Sequence, residues 1–405
     1  MTIADAISAA VDARSGDLLA FLGRLVAAPS PNPPGDTRAV AALVADRLAR
    51  AGIAHRIVAR VTEKPNLIAV ADSGRPGPHL VLNVHLDTIH PGEASDWSVP
   101  LYEATQRDGR ILGLGVGNMK GAVAAMTLAF ELLVERRADW CGRVTFTAVA
   151  DETVFGPDGA AFLLDTEPDL IGDAVICGEG PGAMGLGLAE KGVLWLALDA
   201  VAPSAQGMLA RPRSSATTRL AAAIVELDGW NDVHATAPDE IAAVAAHPER
   251  DGLRLSVNTG TLAGGRFVSQ SATRATAEID FRIPPGLDIT TIESRVDAVI
   301  ARIGGLARRP IKGWEPNWTA ADSPIVEAVA AAHHAVRGAP AVPVVRLPAS
   351  DASRWRQRGI PAVCYGPQAD LVSGVDDWVY ARDVIDCAKI YTVAALAVLA
   401  PAPAA

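Results

Sequence analysis

The chain is short of the residues that most quickly betray a protein's class. Four of its 405 residues are cysteine, Cys141, Cys177, Cys364 and Cys387, and no two of them form a C-x-x-C pair. That excludes a disulfide-stapled scaffold and a thiolate metal cluster, and it fits reduced thiols in a cytoplasmic protein. Positive charge is scarce as well: 36 Lys and Arg stand against 46 Asp and Glu, for a net charge of -10. With no basic stripe to meet phosphates, nucleic acid is not an expected partner. Aromatic residues are only 5% of the chain and are scattered. The longest apolar run, Ile390 to Ala400, ends at Pro401, well short of the about 20 residues that span a bilayer. The opening Met1-Thr2-Ile3-Ala4-Asp5 lacks a basic segment followed by an apolar core, so neither a signal peptide nor a membrane partner is expected. Histidine is rare, and none follows His334.

What is present points to a two-domain α/β protein. The length exceeds one simple core. Apolar periodicity predicts helices over residues 15–28, 37–51 and 121–136. Leu80-Val81-Leu82-Asn83-Val84 is almost continuously apolar, as befits a buried central strand, and Arg143–Ala150 reads as another. Strand and helix alternate, which implies a sheet covered by helices. In such sheets, functional residues gather at the carboxyl ends of strands. His85, Asp87, Glu152 and Glu179 each follow a strand-like run. From residue 187 the pattern changes to strands and helices without a phosphate-binding turn, which suggests a small α+β insert.

Four blocks carry the chemistry: Val84-His85-Leu86-Asp87-Thr88, the stretch Gly113 to Gly121, Asp151-Glu152-Thr153, and Cys177-Gly178-Glu179-Gly180. In order and spacing they resemble the M20 family of zinc-dependent amidohydrolases and exopeptidases. The resemblance extends to Trp97-Ser98-Val99-Pro100-Leu101, Glu190-Lys191-Gly192, Ile279 to Gly286 and Gly359 to Pro367. It implies a mixed-sheet, zinc-peptidase-like catalytic domain over 1–186 and 303–405. A ferredoxin-like α+β lid would be inserted at 187–302; the lid often carries the dimer contact, so a homodimer is expected.

Within that resemblance, most metal ligands are replaced. The family's bridging Asp becomes Asn118, its second Glu becomes Thr153, and its late His becomes Ser373, placed by the likeness of Asp376-Asp377-Trp378-Val379 to the family's D-E-Y-V. Zinc in proteins takes Cys, His, Asp or Glu, and neutral oxygens are poor substitutes. His85 and Glu179 remain as metal ligands, so the expectation is no cofactor or one weakly bound zinc. Asp370 and Asp376 flank the lost His and are candidates to refill the position.

The resemblance makes Glu152 the general base and Asp87 the carboxylate that fixes the ring of His85. Without metal, these groups and Glu179 form an acid–base set in which crowding raises at least one carboxyl pKa. Arg282 stands where a lid Arg engages a substrate carboxylate, Gln206 where a lid His assists, and Ser269 where an Asn is usual; with Asn118, Thr153 and Ser373 they are the candidate substrate contacts. Asp351 is expected to brace the site, and Lys120 to orient its loop. Three functions stay open for a small-molecule substrate. One is a hydrolase or acyl-transfer enzyme for an acylated amino acid or peptide-like metabolite. The others are a metal-free lyase or cyclase, and a non-catalytic binding relative.

Overall fold

A computed structural model describes residues 2–182, 184–246, 251–369 and 374–400. The chain divides into two compact units. The first comprises Met1–Leu188, Trp318–Val344 and Ser350–Ala405; the second comprises Ala189–Asn317 and Val345–Ala349.

In the first unit, six strands lie in the order His55–Val58, Asn66–Asp72, Arg143–Val149, His79–His85, Ala174–Cys177, Ala362–Cys364. The first two run antiparallel. The other four run parallel. The apolar character of Leu80 to Val84 follows from this central position: Leu80, Val81, Leu82 and Val84 are wholly buried. The helix Gly121–Glu135 packs beside this sheet, and every residue from Gly121 to Leu133 is buried. An element so enclosed is apolar all round rather than amphipathic. Ile390 to Ala400 has the same explanation, since the helix Ala381–Val398 is buried through most of its length. No helix among the described residues is long and apolar enough to cross a membrane.

The parallel register is what assembles the site. His85 pairs with Val149, and Asn83 with Cys177. The residues just beyond these positions, Asp87, Glu152 and Glu179, therefore emerge at one edge of the sheet. Gly178 is required there: a Cβ would come within 2.8 Å of Met119 Cε and 2.9 Å of Ala122 Cβ.

The second unit has the order strand, helix, strand, strand, helix, strand: Gly192–Val201, Ala216–Asp228, Ser256–Gly264, Arg274–Ile283, Ile289–Ile303, Leu306–Trp314. Its sheet is antiparallel, with Gly192–Val201 and Arg274–Ile283 central. This is the ferredoxin-like arrangement. Leu194, Leu196 and Leu198 alternate inward against Leu220, Leu227, Ile292 and Val296 on the two helices. Ser215 caps the first helix through a capping box, and Asp288 caps the second. The unit runs further than the expected boundary at 303. Gly304 and Gly305, both at positive φ, turn the chain back into Leu306–Trp314, which completes the sheet as an edge strand.

Candidate functional site

Four loops converge on His85, which is 1% exposed. Its Nε2 lies 2.9 Å from Glu179 Oε1, 2.7 Å from Asn118 Oδ1 and 3.6 Å from Glu152 Oε2. Its Nδ1 lies 2.9 Å from the main-chain oxygen of Asp87 and 3.5 Å from Asp87 Oδ1. The ring is thus held more closely by the Asp87 carbonyl than by its carboxylate. The loop that presents Asn118 is pinned at three points. Gly117 N–H donates to Asp377 Oδ2 at 3.1 Å, Lys120 Nζ donates to the Ala28 carbonyl at 2.7 Å, and the His85 N–H reaches Met119 Sδ at 3.2 Å. Lys120 has this orienting contact while buried, and burial pulls its amine down to about 7.

The Asp87 carboxylate faces the turn that bears Glu152. Its Oδ1 accepts the Glu152 N–H at 3.1 Å. Its Oδ2 accepts the Thr153 N–H at 3.1 Å, the Thr153 hydroxyl at 2.7 Å and Asn32 Nδ2 at 2.9 Å. Burial works to raise its carboxyl, but bonds from His85, Asn32 and Thr153 hold it at about 2. Glu152 is the opposite case. Oε1 is buried with no protein partner. Burial, with Glu179 and Asp351 nearby, pushes its carboxyl well above the usual range against the pull of His85. Burial likewise opposes a proton on His85, yet Glu152, Asp87 and Glu179 outweigh it and raise the imidazole well above its ordinary value. Asp351 is 3% exposed, 3.4 Å from Asn83 Nδ2 and 3.4 Å from Arg354 Nε, and burial raises it to about 6.

His85, Glu152, Glu179, Asp87, Asn118 and Thr153 are therefore brought together. Ser373 and Asp370 lie outside the described residues. Asp376 does not join the group; its Oδ1 accepts the Ser98 N–H at 2.8 Å. Gln206, Ser269 and Arg282 belong to the second unit. There Gln206 bridges to Gln270, the Ser269 carbonyl accepts the Gly207 N–H at 2.8 Å, and Arg282 Nε lies 3.0 and 2.9 Å from the two oxygens of Asp280. Sequence reasoning missed Asn32 and Lys64, and gave Asp151 no role. Asn32 sits in a Pro-rich loop whose pattern announces only a turn, so no signal marked its side chain.

Comparison with known proteins places this geometry in a family. Peptidase family M20/M25/M40 matches residues 81–397. The chain belongs to that family. Succinyl-diaminopimelate desuccinylase of Xanthomonas campestris pv. campestris (strain B100) is 39% identical over 118 residues, 29% of this chain and 31% of that protein. The enzyme of the same name from Herminiimonas arsenicoxydans is 25% identical over 256 residues, 58% of this chain and 61% of that protein. The chain thus spans less than two thirds of the length of these relatives. Human carnosine dipeptidase 1 superimposes with a TM-score of 0.75 at 14% identity, over 98% of this chain and 99% of that one. An M20 family metallo-carboxypeptidase, Sso-CP2 from Sulfolobus solfataricus, gives 0.72 at 16% identity, over 94% and 98%. A dinuclear metal binding M20 peptidase of Bacillus subtilis gives 0.67 at 15% identity, over 96% and 99%. At these identities the likeness shows the fold.

The donor set decides how much metal the site fits. His85, Glu152 and Glu179 offer ligand atoms that all lie within 4.8 Å of one another. One divalent cation fits that trio, by donor type and spacing. This adds Glu152 to the pair His85 and Glu179 expected from sequence. Among the described residues this is the one such group of His, Cys, Asp or Glu. Thr153 donates its hydroxyl to Asp87, and Asn118 Oδ1 lies against His85 Nε2.

Proposed function

We propose that this protein is a hydrolase or acyl-transfer enzyme acting on an acylated amino acid or small peptide-like metabolite. Glu152 is its general base, and metal dependence is weak or absent. The observation that carries the reading is the unpartnered Oε1 of Glu152, buried beside His85 and Glu179. A carboxyl that binds a proton unusually tightly is a strong base in its ionised fraction and a good acid once loaded. Glu152 takes the proton of an attacking water and returns it to the leaving amine. His85, whose proton is favoured by Glu152, Asp87 and Glu179, faces the developing negative charge on the acyl oxygen. A divalent cation held by His85, Glu179 and Glu152 would supply Lewis acidity and a more acidic water. It would also occupy the carboxylate that serves as base, so cation binding and proton transfer compete for Glu152.

Arg282 presents a guanidinium in the lid-type unit, a suitable partner for a substrate carboxylate. Gln206, Ser269, Asn118, Thr153 and Ser373 are proposed as substrate contacts on the family resemblance alone. The ferredoxin-like unit supports a homodimer, and four free cysteines support a reducing, cytoplasmic setting.

The test is hydrolysis of a panel of N-acyl amino acids by protein stripped with a chelator and checked for metal by elemental mass spectrometry. Retained turnover that vanishes in Glu152→Gln is the expected result. Turnover that is lost on stripping and restored by zinc would overturn metal independence. A second reading, a metal-free lyase or cyclase, draws on the raised proton affinity of His85 and Glu152. Product formed without uptake of labelled water oxygen would favour it.

A further inference from the structure

The turn that delivers Glu152 begins at Asp151, whose φ is 63°. A non-glycine residue rarely holds that left-handed conformation, and one that does is over-determined by its surroundings. The restraints are identifiable. Asp151 Oδ2 accepts the Asp158 N–H at 3.2 Å, and the Asp151 carbonyl accepts the Gly156 N–H at 2.9 Å. From the other side, Asp87 accepts the N–H groups of Glu152 and Thr153. The turn is therefore clamped between two buried carboxylates, Asp87 and Asp151, which are 0% and 1% exposed.

Two like charges this close repel strongly where water is excluded. One side chain bridges them. Asn32 Nδ2 lies 2.9 Å from Asp87 Oδ2 and 3.2 Å from Asp151 Oδ1. The amide orientation is forced, because turning the oxygen inward would set three acceptors against one another. Asn32 is itself fixed by its N–H on the Thr88 carbonyl at 2.8 Å, and Gly35 packs so closely that a Cβ there would lie 2.8 Å from Asn32 Cγ. Lys64 Nζ, 2.5 Å from Asp151 Oδ1, supplies the countercharge at the outer end.

We propose that Asn32, supported by Lys64, is a positioning residue for Glu152. It joins Asp87 to Asp151 and so holds the turn from which the general base projects. The catalytic consequence rests on the function proposed above; the clamp does not.

The experiment is amide hydrogen exchange on the metal-stripped full chain, read at Glu152 and Thr153, with the helix Ala381–Val398 as internal control. Asn32→Ala should accelerate exchange at the two amides by about tenfold or more and leave the control helix unchanged. The near-isosteric Asn32→Asp, which adds a third carboxylate, should do so at least as strongly. Lys64→Met, at a partly exposed position, should give a smaller acceleration at the same two amides and keeps the test open if the Asn32 variants fold poorly. Unchanged exchange at Glu152 and Thr153, or equal acceleration in the control helix, would overturn the proposal. In an N-acyl amino acid assay the Asn32 variants should lose kcat at unchanged KM, with a displaced pH–rate profile. Wild-type inactivity would count against the proposed function while leaving the exchange result to decide the clamp.

Discussion

Asp87 and Glu152 are two carboxylates buried at the same strand ends, 0% and 4% exposed, and they hold protons in opposite ways. Both have lost water, which alone would raise both pKa values. Asp87 has the His85 imidazole beside it and four donors, from Asn32, the Glu152 amide and two groups of Thr153, and sits at about 2. Glu152 has an oxygen with no donor at all and is pushed well above the usual range. The lesson is that burial sets the stakes and the donors set the sign. One carboxylate is a fixed anion that shapes the backbone; its neighbour is left able to gain and lose a proton.

The contrast breaks most visibly at Glu152. Glu152→Gln keeps the shape and removes the base, so kcat/KM on an N-acyl amino acid should fall by roughly 10²–10⁴-fold, with little loss of folding stability. The same change at the anion gives the reverse profile. Asp87→Ala leaves the Thr153 and Asn32 donors buried and unmet, and should lower stability by about 3–5 kcal/mol in denaturant titration. If Asp87→Ala were harmless to the fold, the carboxylate would not be the clamp described above.

Acid provides a third way to sharpen the difference. Asp87 has a folded pKa of about 2, below its ordinary 3.8. Its stabilisation is complete above about pH 4 and is lost as pH falls through 2, an effect of about 2–3 kcal/mol. Glu152 is raised, so its contribution is complete below its ordinary 4.5 and is lost as pH rises toward its folded value. Stability measured against pH should therefore lose its acid limb in Asp87→Asn, and lose part of its decline above pH 4.5 in Glu152→Gln. Parallel curves for the two variants would show that the two carboxyls titrate alike.

Much of this was legible in the chain. The apolar run Leu80 to Val84 gave away the central strand, because a strand buried on both faces has no polar alternation. His85, Asp87, Glu152 and Glu179 could be singled out because each follows such a run, and a parallel sheet brings strand ends together whatever lies between. The hydrogen bonds were not legible. Thr153 looks like a lost ligand in sequence, whereas in the fold its hydroxyl belongs to Asp87. Asn32 lies far from every motif and reaches the site only through the path of its loop. The end of the lid-type unit was also obscured, since the boundary expected at 303 falls beside Gly304-Gly305, which turn the chain from the helix Ile289–Ile303 into an edge strand.

The smallest effect tests the finest detail of the comparison, the Thr153 hydroxyl. It donates to Asp87 Oδ2 at 2.7 Å, shorter than the main-chain N–H beside it at 3.1 Å. Thr153→Val preserves the branched shape and removes one of the four donors, so stability at pH 7 should drop by about 1 kcal/mol. His85 and the remaining three donors keep Asp87 ionised, and the acid limb should move up only slightly. Thr153→Ser retains the hydroxyl and should restore most of the loss. A cost for Ser with none for Val would assign the effect to packing of the methyl group, and Asp87 would then owe its low pKa to His85, Asn32 and the two amides.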